Sequence, residues 1–184
     1  MRVIPRDWYR PILATLLLGA IIHVAAVAVL PDIITGLVMR RIIDRVGANR
    51  VLATPLPDAS ARAVVMPSPD LLYAICAFDL ATGPLRITAS PGTDYFSLAL
   101  YDQNADNFYS INDRQLNAQP TEILLSDRPP SPALRSRFPT AIFVTTPHAT
   151  GVMLARTLVL DPSRMQAPLQ TQASVRCAPI AALE

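Results

Sequence analysis

The stretch Asp94-Tyr95-Phe96-Ser97-Leu98-Ala99-Leu100-Tyr101-Asp102 decides the fold class. Phe96, Leu98 and Leu100 alternate with Tyr95, Ser97, Ala99 and Tyr101, the period of two that a half-buried β-strand needs. Working outward, similar short runs recur over 62–66, 71–79, 84–90, 106–112, 121–126, 140–146 and 151–161, separated by Pro, Gly, Asp and Asn. No alternation of strand and long helix accompanies them. The expected architecture is therefore mainly β, an antiparallel β-sandwich or jelly roll filling residues 51–184. Residues 163–175 read as a short terminal helix interrupted by Pro168.

Before Asn49 the character of the chain changes. Pro11 to Leu30 carries no charged residue, and at about 1.5 Å per residue it reaches the ~30 Å of a hydrocarbon layer. Leu, Ile and Val dominate the run, which offsets the one imidazole, His23. Trp8 and Tyr9 stand where amphipathic rings favour the head-group level, and Pro31 closes the other end. The expectation is a transmembrane helix over 11–30 in contact with the lipid bilayer. A cleaved signal peptide is the alternative, since Arg2, Arg6 and Arg10 make a basic start and Ala26-Val27-Ala28 fits a cleavage pattern. Either reading exports the domain.

Arginines flank both ends, with Arg40, Arg41, Arg45 and Arg50 beyond the span. The short, basic tail over 1–10 favours a cytoplasmic N-terminus and a periplasmic C-terminal domain at the inner membrane. From 31 to 50 the chain reads as a second, amphipathic helix, capped by Asp32 and ended by Gly47. It is either a stalk packed on the domain or a helix lying on head groups.

Composition removes several functions. The 16 basic residues are all arginine, which excludes P-loop, Schiff-base or general-base lysine chemistry. A net charge of +2 with scattered arginines lacks the footprint of a nucleic-acid binder, so no nucleic acid is expected as partner. No metal site, catalytic site or cofactor is assigned. His148, in Thr145-Thr146-Pro147-His148, reads as a solvated turn residue, and Asp70, Asp79, Asp102 and Asp113 read as turn caps rather than paired catalytic carboxylates. Cys76 and Cys177 can pair in an oxidising compartment and staple the C-terminal tail to the sheet; two free thiols are the alternative.

The richest mixture of aromatic, amide and charged side chains runs from Tyr101 to Arg114. Tyr101, Asp102, Asn107, Tyr109, Asp113 and Arg114 form the candidate ligand or partner surface there. His23 is the other candidate, because a titratable group inside lipid tends to face something other than acyl chains. A hydrogen bond to a helix of an integral-membrane partner, a tolerated place near the interface, and contact with a metal-tetrapyrrole remain open for it. The leading functional expectation is a non-enzymatic accessory or scaffold subunit of a membrane assembly. The alternative is a periplasmic binding module or hydrolase acting on an envelope glycan or lipid.

One set of residues resembles a known family. Ser68-Pro69-Asp70-Leu71-Leu72-Tyr73-Ala74, then Phe78-Asp79-Leu80, Gly83-Pro84-Leu85, Tyr95-Phe96-Ser97-Leu98, Tyr101-Asp102 and Asn107-Phe108-Tyr109 are similar to the bacterial domain of unknown function 1254. Ala141-Ile142-Phe143-Val144 and Leu154-Ala155-Arg156-Thr157-Leu158 resemble its paired closing strands. The resemblance covers about residues 60–165 and is to a short, membrane-anchored alphaproteobacterial version. It implies a β-sandwich on the outer side of the inner membrane with no established activity. Where longer members carry a polar Asn/Asp-Thr pair before the tyrosine, this chain has Asp70-Leu71-Leu72, which weakens any polar pocket at that corner.

Overall fold

A computed structural model describes residues 8–61 and 67–180; the strand expected over 62–66, and Arg2 and Arg6 of the basic tail, lie outside the described residues. The chain opens with one helix, α1 (Tyr9–Val46), of 38 residues. The two helices expected on either side of Pro31 are thus a single rod with Pro31 inside it. A proline costs its own N–H bond and crowds the carbonyl four residues earlier, yet neighbouring turns carry the helix through. Asp32 is consequently a mid-helix residue and not a cap. The rod stops at Gly47, whose φ of 88° is open to glycine and whose N–H donates to Ile43 O at 2.8 Å.

Nine strands follow among the described residues: β1 (Val51–Ala53), β2 (Leu71–Asp79), β3 (Leu85–Ala89), β4 (Phe96–Asp102), β5 (Asn107–Asn112), β6 (Thr121–Ser126), β7 (Ile142–Thr145), β8 (Thr150–Leu158) and β9 (Arg176–Pro179). Between them lie α2 (Asp113–Leu116), α3 (Pro132–Arg137) and α4 (Gln166–Ser174). They build a five-stranded sheet in the order β1-β2-β8-β4-β5 and a four-stranded sheet in the order β7-β6-β3-β9. The pairings are antiparallel as expected, save that β6 and β7 run parallel. Pro168 does not break the terminal helix. It falls in the first turn of α4, where its missing N–H has no intrahelical acceptor to lose.

The two sheets face each other across a core that includes Cys76, Phe78, Phe96, Leu98, Leu100, Ile87, Ile123, Leu125 and Met153, each at 0% exposure. Phe96, Leu98 and Leu100 point inward as their alternation requires. Cys76 on β2 and Cys177 on β9 are joined by a disulfide, Sγ to Sγ at 2.07 Å, which ties one sheet to the other across this core. A strap at the sheet edge adds to it: buried Gln172 of α4 donates from Nε2 to the carbonyls of Thr54 and Tyr73, both at 2.8 Å.

The last turns of α1 lie on the outer face of the five-stranded sheet. Met39 and Ile42 pack with Ala77, supported by Val38, Ile43, Val46, Leu52, Ile75 and Val152. Their exposure of 8% and 4% contrasts with the bare apolar side chains from Ile12 to Leu30 on the same rod. Asn49 locks the junction, accepting from Asp79 N and donating from Nδ2 to Asp79 O, both at 2.8 Å.

Candidate functional site

Three places carry chemistry-bearing residues, and the local fold explains each. The first lies on the outer face of the five-stranded sheet. Ser97 and Arg156 are cross-strand partners on β4 and β8, and Tyr101 is the partner of Val152, on which α1 rests. Outward-facing side chains therefore leave a shallow cleft of about 280 Å³ beside the seat of α1, lined by Tyr95, Ser97, Tyr101, Asn107, Ser110, Asn112 and Arg156 among others. No carboxylate among the described residues lines it. Arg156 Nη2 donates to the Tyr101 hydroxyl at 3.3 Å, the one side-chain hydrogen bond of Arg156 among the described residues.

The sequence-derived surface over Tyr101–Arg114 is only partly this cleft. Tyr101 and Asn107 line it, while Asp102, Tyr109, Asp113 and Arg114 do not. Asn107 also holds the irregular register of the β4–β5 hairpin, donating from Nδ2 to the carbonyls of Leu100 and Tyr109 at 3.2 and 3.3 Å. Tyr109 packs against the core, and burial pushes its phenol above the usual range. Asp113 accepts from Phe96 N at 3.4 Å, and Arg114 is exposed on α2. Tyr95 and Ser97 escaped the sequence reading as site residues because Arg156 sits far along the chain from them; strand pairing alone brings it alongside.

The second place is the pair Asp102 and His148. The Asp102 side chain is 4% exposed, and its Oδ1 accepts from the N–H groups of Asn104 and Asp106 at 2.9 and 3.1 Å. Its Oδ2 lies 3.0 Å from His148 Nδ1, hydrogen-bond distance for an Nδ1–H donating to the carboxylate. His148 lies in the expected turn with its side chain 32% exposed, and it does more than meet solvent: it binds the turn before β8 to the turn after β4. Thr146 frames it, its hydroxyl donating to His148 O at 2.9 Å and accepting from His148 N at 3.2 Å. A base held by an orienting carboxylate is half of a nucleophilic triad. The other half is missing among the described residues, since both cysteines are consumed in the disulfide and no serine hydroxyl bonds the imidazole. Three of the four aspartates weighed in the sequence are spent on backbone N–H groups: Asp79 accepts from Ala81 N at 2.9 Å, Asp102 from Asn104 N and Asp106 N, and Asp113 from Phe96 N. No group of three or more His, Cys, Asp or Glu able to hold a metal exists among the described residues.

The third place is the exposed rod. His23 is exposed on α1, within an apolar segment that carries no charged residue from Pro11 to Leu30 and buries nothing against the domain. Length and composition suit a membrane crossing; a signal sequence would satisfy the same measure.

Comparison with known proteins adds a family and a fold. The VPA0106 protein from Vibrio parahaemolyticus superposes with a TM-score of 0.59 at 11% sequence identity, over 83% of this chain and 38% of that one. An uncharacterized protein from Burkholderia cenocepacia aligns with a TM-score of 0.46 at 19% identity, over 74% of this chain and 44% of its own. The first likeness speaks for the fold alone, and this chain spans less than half the length of either structure. No curated protein matches it. A family model does, over residues 48–179, a match that begins just after α1 ends and takes in both sheets. The chain belongs to the family described as protein of unknown function, DUF1254.

Proposed function

We propose that the chain is a single-pass inner-membrane protein that holds its β-domain on the periplasmic face as a non-enzymatic subunit of a membrane assembly. The observation that carries this reading is the continuity of α1. The same helix is bare and apolar through Leu30 and is seated on the sheet by Met39 and Ile42. A domain joined to its anchor by a packed rod keeps one height and orientation over the membrane, which suits an assembly part better than a tethered enzyme. The Asp102–His148 pair, spent on joining two turns, agrees with that. The disulfide agrees with an oxidising compartment.

The bare face around His23 is the contact offered to a partner helix. Extraction in mild detergent followed by mass spectrometry of co-purifying proteins tests the proposal. A stoichiometric integral-membrane partner that is lost in His23→Leu is expected, and a monomer with no partner would overturn it.

The cleft beside α1 favours a second reading, a binding module for an envelope glycan or lipid. Tyr95 and Tyr101 offer aromatic faces, and Asn107 Oδ1 and Asn112 Nδ2, the amide atoms not used in the hairpin and the α2 cap, offer hydrogen bonds. A ligand that raises the unfolding temperature of the wild type but not of Tyr101→Ala supports it; no shift across a panel of envelope components counts against it.

A further inference from the structure

We infer that this cleft receives the anionic, phosphate-bearing head group of a bilayer lipid, an assignment that rests on the binding-module reading and names its ligand. Two independent observations carry it. The first is the electrostatics of Arg156. A guanidinium presents five N–H donors, and Arg156 uses one, toward the Tyr101 hydroxyl. No carboxylate lines the cleft, and Arg156 forms no salt bridge among the described residues. A partly buried cation left without a counter-ion is an anion site, and a guanidinium fork matches phosphate oxygens best. Ser97, across the strand, and Ser110 add hydroxyl donors around it.

The second observation is height above the membrane. Exposed apolar side chains continue past Leu30 through Ile33, Ile34 and Leu37, one ridge of the helix, and stop at Arg40 and Arg41. From Trp8 and Tyr9 to this arginine pair is about 45 Å at ~1.5 Å per residue, the thickness of a bilayer with its head groups. Met39 and Ile42, which seat the sheet, therefore lie level with the head-group layer. Val152 touches that seat and is the cross-strand neighbour of Tyr101, so the cleft opens beside α1 at that same level.

The full chain in nanodiscs tests this, with thermal unfolding of the β-domain as the readout. One disc holds phosphatidylcholine alone; another replaces a third of it with phosphatidylglycerol. The anionic discs are expected to raise the unfolding temperature by several degrees. Arg156→Gln, and Ser110→Trp, which fills the cleft from an exposed position, are expected to lose most of that shift while Arg45→Gln, exposed on α1, keeps it. A shift that survives in both cleft variants, or that Arg45→Gln loses equally, means general surface attraction and overturns the proposal. An equal shift from inorganic phosphate in neutral detergent would make the free anion the ligand and overturn the head-group assignment. Stabilisation by a neutral oligosaccharide alone would leave the binding-module reading standing and sink this one. No shift with any of these probes would overturn both.

Discussion

Gly151 is the position where one atom matters most. A Cβ placed on it would lie 2.2 Å from the Tyr101 carbonyl oxygen and 2.4 Å from Phe78 Cζ, inside any contact distance. Phe78 is wholly buried and the carbonyl belongs to β4, so neither gives way cheaply. Gly151→Ala is expected to destabilise the domain by about 2–3 kcal/mol or more, read as a fall of several degrees in calorimetric melting temperature. Beside it, Asp102→Ala strips acceptors from two backbone N–H groups and from His148 together, whereas His148→Ala removes a single partner. The aspartate variant should therefore cost roughly 2–3 kcal/mol in urea unfolding and the histidine variant about 1 kcal/mol. Equal costs would mean that the turn does not depend on the carboxylate. Tyr109 adds a pH dependence. Its phenol is raised by burial above 10.0, so the folded state favours the neutral form. The stability it contributes is complete below pH 10 and drains away as pH rises through the folded value. Tyr109→Phe is expected to flatten the alkaline decline in melting temperature, and an unchanged profile would contradict this. None of these roles was visible as a motif. Asp102 was legible as a turn cap and Gly151 as the first residue of a strand, but the partner of Asp102, His148, stands 46 residues away and reaches it only through β4–β8 pairing.

At the level of elements, legibility followed side-chain period. β2 and β6 occupy the expected ranges 71–79 and 121–126, because long apolar runs bounded by turn residues leave little freedom in placing a strand. β1 and β9, of three and four residues, have too few side chains to show a period and exist because β2 and β3 offer them hydrogen bonds. The parallel partnership of β6 with β7 is equally silent in the sequence, since α3 and its flanking turns carry the chain back without a signature. Pro31 and Asp32 misled in the opposite way. As a pair they imitate a helix stop followed by a cap, and only the packing of the following turns on the sheet shows that the rod continues. The pairing of Cys76 with Cys177 was anticipated, and the sheets give it its mechanical meaning. It closes a separation of 101 residues between strands of opposite sheets. Replacing both cysteines by alanine should lower stability by about 4–5 kcal/mol in the chain-entropy picture, most of what a marginal domain has. Chemical denaturation of the double variant against the oxidised wild type measures it, and a loss under 1 kcal/mol would show that the sheets hold together without the bridge.

For the whole molecule, the family match and the contacts of α1 disagree about where the domain begins, and the disagreement is instructive. The family model starts at residue 48, past the end of the helix. The packing starts earlier, for Thr35, Met39 and Ile42 are buried while the rod up to Ile34 is bare except where Ala26 and Pro31 are partly covered. Leu52, Ile75, Ala77 and Val152 form an apolar patch that this helix covers. A soluble chain beginning at Ile34 keeps the cover, and one beginning at Ala48 loses it. Exposing Met39 and Ile42's partners forfeits roughly 3–6 kcal/mol at about 1.5–3 kcal/mol for each large apolar side chain no longer buried. The patch left behind is also the kind of surface that drives association. The chain from Ile34 is expected to elute as a monomer with a cooperative melt, and the chain from Ala48 to melt markedly lower and to self-associate in sedimentation runs. Should both behave alike, α1 would be a mere tether, and the fixed height on which the membrane-assembly reading depends would be lost with it.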